Sequence, residues 1–301
     1  MSPTHGSARR SSTSPSPRTS SDRNGAPSPV PGPPARGGGE ATPGKPIHIM
    51  PDSAKTGRLA RLLLDARAAA APLAVLPEEL ATVTAAEADA VQLLCADALG
   101  PTGGYKVLQV ADRDGSFGFI PASAILASPA TMPATGTRLK IEIEIAFRIG
   151  RDLPGRADGA PYSAEEVGAA VAGAFAAFEI VESRLPPTPP PLAARADAMS
   201  NRGLVVGPEV ADWRGCVRAD VAATLAISGR VVVAVTGGHP SGDPFHSVPW
   251  LANALVRAGR PLTAGQVVTT GAFGGSHPIA PGDEVTGEIA GFPPIAFRLV
   301  P

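Results

Sequence analysis

At 301 residues and 44% hydrophobic side chains, the chain has ample material for one large core or two small ones, and its formal charge of −1 excludes a general attraction to nucleic acid or anionic membranes. Two cysteines, Cys95 and Cys216, fall at no metal-ligand spacing and form no disulfide framework, which fits a reducing, cytoplasmic setting. No uninterrupted apolar run approaches the roughly 20 residues of a membrane-spanning helix.

Residues 1–45 are dominated by Ser, Pro, Gly and Arg, with almost no large apolar side chains. Such a stretch cannot bury enough surface to offset its ordering entropy, so a disordered tail is expected. Its proline density opposes an amphipathic targeting helix, and it lacks an apolar signal core. Residues 46–103 predict a helical subdomain: Leu59, Leu62, Leu63 and Ala66 recur at helical spacing, and Thr84-Ala-Ala-Glu87 is a capping box that opens a second helix toward Gly100. From residue 104 to 301 short β-branched runs prevail, at 138–149, 178–183, 204–206, 221–227, 230–235, 267–270 and 284–289. Ser228-Gly229 reads as a tight hairpin. A capping box at Ser163-Ala-Glu-Glu166 and a run from Ser247 to a Gly259 stop predict two intervening helices. The pattern implies an α+β domain built round a mixed, rolled sheet.

Within the run 141–147, Ile-Glu-Ile-Glu-Ile-Ala-Phe, strand alternation puts the isoleucines on one face and Glu142 and Glu144 together on the other. On pattern alone that face is most often solvated. Glu179 lies in the apolar stretch Ala174–Val181, where a carboxylate must reach water, pair with a base such as Arg184, or be compensated otherwise. One hard divalent cation, which takes oxygen ligands, would make all three acids affordable together.

The segments Glu142–Leu153 and Phe178–Leu185 resemble the fumarylacetoacetate hydrolase superfamily, in its branch of 2-oxopent-4-enoate (2-hydroxypentadienoate) hydratases and 4-oxalocrotonate decarboxylases. Thr84–Gln92, Gly104-Tyr105-Lys106, Gly115–Phe119, Trp250–Asn253 and Ala264–Gly271 resemble the same family in the same order, so the likeness runs over about residues 55 to 300. It implies the rolled C-terminal sheet of that family with an N-terminal helical subdomain, and Mg²⁺ or Mn²⁺ held by Glu142, Glu144 and Glu179. It also implies that Lys106 faces the metal as the catalytic group and that Ser200 lines the pocket as a positioning hydroxyl. From the residues themselves, Thr270 and Gly271 can offer a hydroxyl and an N–H to a substrate carboxylate, although a strand ending in Gly is the commoner reading. A 2-oxo acid can chelate such a cation through its carboxylate and keto oxygens, which suits hydration of a 2-hydroxydienoic acid in aromatic catabolism. Loss of CO₂ from a 4-oxalocrotonate-type acid is the alternative reaction, and a catalytically silent partner subunit of the same fold is the alternative role. The expected assembly is a homo-oligomer, with a related pathway enzyme as a candidate partner.

The sequence departs from the family pattern at three places: Glu182 stands for the family's Asp, Ala198 for its Asn, and Leu108 for the glycine two after the lysine. These change the pocket wall and spare the metal ligands. His239, His246 and His277 lie in Gly/Pro-rich loops at no metal-binding spacing and read as surface residues.

Overall fold

The computed structural model describes residues 53–110, 113–134 and 138–301. The chain divides between His48 and Ile49, and every described residue belongs to the unit from Ile49 to Pro301. The tail expected over residues 1–45 lies outside the described residues.

Three helices come first, α1 (Ser53–Ala68), α2 (Glu78–Ala81) and α3 (Ala85–Leu99). The Thr84 capping box forms as the sequence predicts: its hydroxyl accepts the Glu87 N–H, and the Glu87 carboxylate accepts the Thr84 N–H. Leu59, Leu63 and Ala66 of α1 are buried, α1 packs on α3, and α3 packs on the sheet. The strands β1 (Thr102–Leu108), β2 (Ser116–Pro121), β3 (Ile125–Ala127), β4 (Ala130–Pro133) and β5 (Lys140–Ile149) follow. Then come α4 (Ala164–Ala170), β6 (Val171–Val181), α5 (Pro191–Ala196) and β7 (Asn201–Val206). The chain closes with β8 (Ala222–Ile227), β9 (Arg230–Thr236), α6 (Ser247–Arg257), β10 (Val267–Thr269), β11 (Phe273–Pro278), β12 (Glu284–Ile289) and β13 (Ile295–Val300).

The Ser163 capping box opens α4, but the helix yields at Val171 to a strand of 11 residues. The Ala-rich run 172–177 favours helix by intrinsic propensity; pairing along the whole of β5 overrides it. The predicted hairpin is present between β8 and β9, with Ser228 (φ 48°) and Gly229 (φ 79°) both left-handed.

Two mixed sheets result. The larger runs β2-β1-β10-β5-β6-β7-β3, with β11 also on β5; the smaller runs β4-β13-β12-β8-β9. The larger sheet curls until β2 contacts β7, without closing into a barrel among the described residues. Ile141, Ile143 and Ile145 are fully buried in the main core, where β5 and β6 pack on β8 and β12. That leaves Glu142 and Glu144 on the opposite, concave side, beside the small side chains of Ala146 and Ala177.

Candidate metal centre

Antiparallel pairing of β5 with β6 sets Glu142 directly opposite Glu179, and Glu144 opposite Ala177. Cross-strand partners project to the same face, so the register itself brings the third acid to the first two. One carboxylate oxygen from each of the three lies within 4.8 Å of the others. The face is not solvated: Glu144 is 1% exposed and Glu179 0%.

The curl of the sheet brings Lys106 of β1 into the cluster. Its Nζ lies 2.6 Å from Glu179 Oε1 and donates to the Met199 carbonyl at 3.2 Å. Burial alone would lower the Lys106 pKa, but the charges of Glu179, Glu142 and Glu144 outweigh it and hold the value above that of a free lysine. Lys106 is therefore an ammonium at neutral pH. Lys106, and not Arg184, proves to be the base paired with Glu179; Arg184 is engaged with Asp197.

Glu144 is held by Thr269, whose hydroxyl donates to Oε2, and by the Gly271 N–H at 3.0 Å from the same oxygen. Even so, burial first, and then the charges of Glu179 and Glu142, push its pKa up to about 8. Burial raises Glu179 as well, against the opposing pull of Lys106. Asn201 Nδ2 donates to Glu179 Oε1 at 2.9 Å, while Glu179 Oε2 is buried with no hydrogen-bond partner among the described residues. When ionised, three carboxylates against one ammonium leave two uncompensated negative charges. An orphaned carboxylate oxygen and a deficit of two positive charges both fit a divalent, oxygen-seeking cation.

The turn after α5 supports this cluster. Ala198 (φ 48°), Met199 (φ 53°) and Ser200 (φ 64°) are consecutive left-handed residues, a conformation costing roughly 1–2 kcal/mol each for side chains other than glycine. Arg184, 4% exposed, holds them. Its Nε donates to Asp197 Oδ1 at 2.6 Å, its Nη2 to the Asp197 carbonyl at 2.7 Å, and its Nη1 to the carbonyls of Glu182 (2.5 Å) and Asn201 (2.8 Å). On the other side Gly118 must lack a side chain, since a Cβ there would lie 2.3 Å from the Ala198 carbonyl oxygen. The turn thereby aims the Met199 carbonyl at Lys106 and Asn201 at Glu179.

A model of the fumarylacetoacetate (FAA) hydrolase C-terminal family matches residues 107–300. The chain belongs to this family. A 2-keto-4-pentenoate hydratase of Burkholderia vietnamiensis is 34% identical over 160 residues, 52% of this chain and 60% of that protein. A 4-oxalocrotonate decarboxylase of Pseudomonas sp. CF600 is 29% identical over 105 residues, 35% of this chain and 40% of that one. The chain thus spans only about half the length of the curated relatives it matches. Among solved structures, the 4-oxalocrotonate decarboxylase of Pseudomonas putida G7, complexed with magnesium and adipate, superposes with a TM-score of 0.72 at 23% identity, covering 82% of this chain and 98% of that one. That likeness extends the shared fold into the N-terminal helices.

On this family frame, Glu142, Glu144, Glu179 and Lys106 converge on a cavity of about 310 Å³, which Met199 and Gly271 also line. Ser200 lies on the far side of the turn and faces a neighbouring cavity. The hydroxyl of Thr270 donates to the Ile145 carbonyl at 2.9 Å, so it fixes the end of β10, and the Gly271 N–H is taken by Glu144. His239 is a correction to the surface assignment: it is 5% exposed, its Nδ1 accepts the Ser241 N–H, and burial lowers its pKa to about 4. Thr269, Asn201 and the Arg184–Asp197 pair are site residues that sequence reasoning missed. Asn201 reaches Glu179 only because β7 pairs with β6, and the Arg184 contact to Asp197 joins positions whose separation in sequence carries no periodic signal.

Proposed function

We propose that the protein is a divalent-metal-dependent hydro-lyase that adds water to a short 2-hydroxydienoic or 2-oxoenoic acid, as the names of its hydratase relatives suggest. The observation that carries the reading is the undercompensated triad of half-buried Glu142 and buried Glu144 and Glu179 with one ammonium beside it. In this reading those three residues hold Mg²⁺ or Mn²⁺. When bound, such an ion supplies Lewis-acid polarisation of a chelating 2-oxo acid.

The chain's own groups then divide the remaining work. Lys106, whose Nζ lies at the triad and lines the same cavity, donates a hydrogen bond or a proton to the substrate end facing it. Thr269 and the Gly271 N–H fix the orientation of Glu144, and Asn201 fixes Glu179. The walls of Val107, Leu108, Met199 and Pro240 exclude bulk water from one side of the cavity. Gly271 lines the triad's cavity and borders the substrate there, whereas the Thr270 hydroxyl is taken by the Ile145 carbonyl and Ser200 faces the neighbouring cavity. Among the described residues no helix is long and apolar enough to cross a membrane. We place the protein as a cytoplasmic homo-oligomer, to be tested by fractionation and sedimentation.

The deciding experiment presents 2-hydroxypenta-2,4-dienoate and 4-oxalocrotonate to the full chain with Mg²⁺ or Mn²⁺. Hydration of the first without CO₂ release from the second is the expected result. Rapid CO₂ release with no hydration would make the protein a decarboxylase, and absence of stoichiometric metal with neither reaction would make it a silent subunit.

A further inference from the structure

Two cavities adjoin at Leu108 and Met199. The first, of about 310 Å³, holds the triad and Lys106; the second, of about 380 Å³, is lined by Val110, Arg113, Ser116, Pro191 and Ser200, among others. Leu108 and Met199 line both. Leu108 is the last residue of β1, two after Lys106, so strand alternation sends both side chains to the same face. Met199 comes from the opposite wall, on the left-handed turn that Arg184 and Gly118 lock.

A Cβ at Gly271 would lie 2.9 Å from Pro240 Cγ, so Pro240 closes over the Gly271 corner of the first cavity, and Leu108 Cδ1 stands at ordinary contact distance from the same point, 3.7 Å. The locked turn fixes the backbone from which Met199 projects. A space of about 310 Å³ is at the small end for a ligand pocket, whereas joining the second cavity would more than double it. Two half-buried apolar side chains, one from each wall, therefore separate a small site from a large one.

We propose that Leu108 and Met199 form an apolar partition that limits the triad's cavity to short, unsubstituted 2-oxo acids, and that Leu108 is the specificity-determining residue. The inference rests on the reading of the triad as a metal site for a 2-oxo acid. The head of the ligand sits at the triad in either case; the partition decides how far its chain extends.

The test is calorimetric binding of a linear series, pyruvate, 2-oxobutyrate, 2-oxohexanoate and 2-oxooctanoate, to the full Mg²⁺-saturated protein and to its Leu108→Gly and Leu108→Ala variants. For the unaltered protein, affinity should hold over the short acids and fall by at least about tenfold at 2-oxooctanoate, the scale on which a closed apolar wall discriminates. Read as the ratio of 2-oxooctanoate to pyruvate affinity within each protein, Leu108→Gly should recover most of that loss and Leu108→Ala part of it. Leu108→Ala also keeps the proposal testable if Leu108→Gly does not fold, and a retained Mg²⁺-induced thermal shift verifies the site in each variant. A length profile that is the same in all three proteins overturns the partition alone. Failure of pyruvate to bind the Mg²⁺-saturated protein overturns the metal-site reading and the partition with it.

Discussion

Mg²⁺ titrated into the metal-free protein at pH 7 should displace a proton from Glu144. Burial and the neighbouring charges of Glu179 and Glu142 push that carboxyl up to about 8, so roughly nine in ten molecules carry the proton at pH 7. A hard cation binds the carboxylate form, so each ion captured must release about 0.9 proton from Glu144. Deprotonation at pH 7 costs about 1.4 kcal/mol of binding energy, and affinity should climb about tenfold per pH unit until it levels near pH 8. Calorimetry in buffers of different ionisation enthalpy reads the proton count directly. Glu144→Gln, which keeps the shape and can still accept from Thr269 and Gly271, should lose this proton release and most of the affinity. The same shift acts on stability without metal. Because the folded pKa lies above the ordinary value of 4.5, the stability Glu144 contributes is whole below that pH and is lost as pH rises toward 8. Metal-free wild type should therefore lose stability relative to Glu144→Gln across this window. Tight Mg²⁺ binding at pH 7 with no proton release would refute the reasoning, since Glu144 would then be ionised already.

Glu179→Gln keeps the volume but removes a negative charge and the orphaned Oε2, so both the Mg²⁺-induced thermal shift and turnover should disappear; unchanged affinity by calorimetry would break the triad. Lys106→Ala should keep the thermal shift, because Lys106 is a competitor for Glu179 and not a ligand, while turnover falls by about 10²–10⁴. Arg184→Met strands the buried Asp197 carboxylate and should cost about 3–5 kcal/mol in denaturant unfolding, and a loss under about 1 kcal/mol would show the clamp to be dispensable. The His239 ring, with its pKa lowered to about 4 by burial, should show no NMR titration between pH 5 and 8.

Local rules were enough wherever a signal repeats within a few residues. The capping boxes at Thr84 and Ser163, the left-handed Ser228-Gly229 corner and the helix from Ser247 formed where the sequence places them, because each is satisfied by groups within one turn of chain. The Ala-rich run after α4 is different. Its strand state depends on β5, a partner whose presence no local window records.

By itself, the sequence determined that Glu142 and Glu144 share one face of a strand and three isoleucines the other, since alternation is a property of the extended backbone alone. Motif order also determined the family and hence the fold. Only the tertiary structure decided that the acidic face turns inward, that Glu179 stands opposite Glu142, and that Lys106 arrives from β1 across the curl of the sheet. It also decided which polar groups were already committed: Thr270 to a carbonyl, Gly271 to Glu144, and Arg184 to Asp197 instead of Glu179. The physical reason is the same in each case. Burial and charge compensation depend on what lies across the space between strands, and strand register, sheet curvature and one strained turn set that distance.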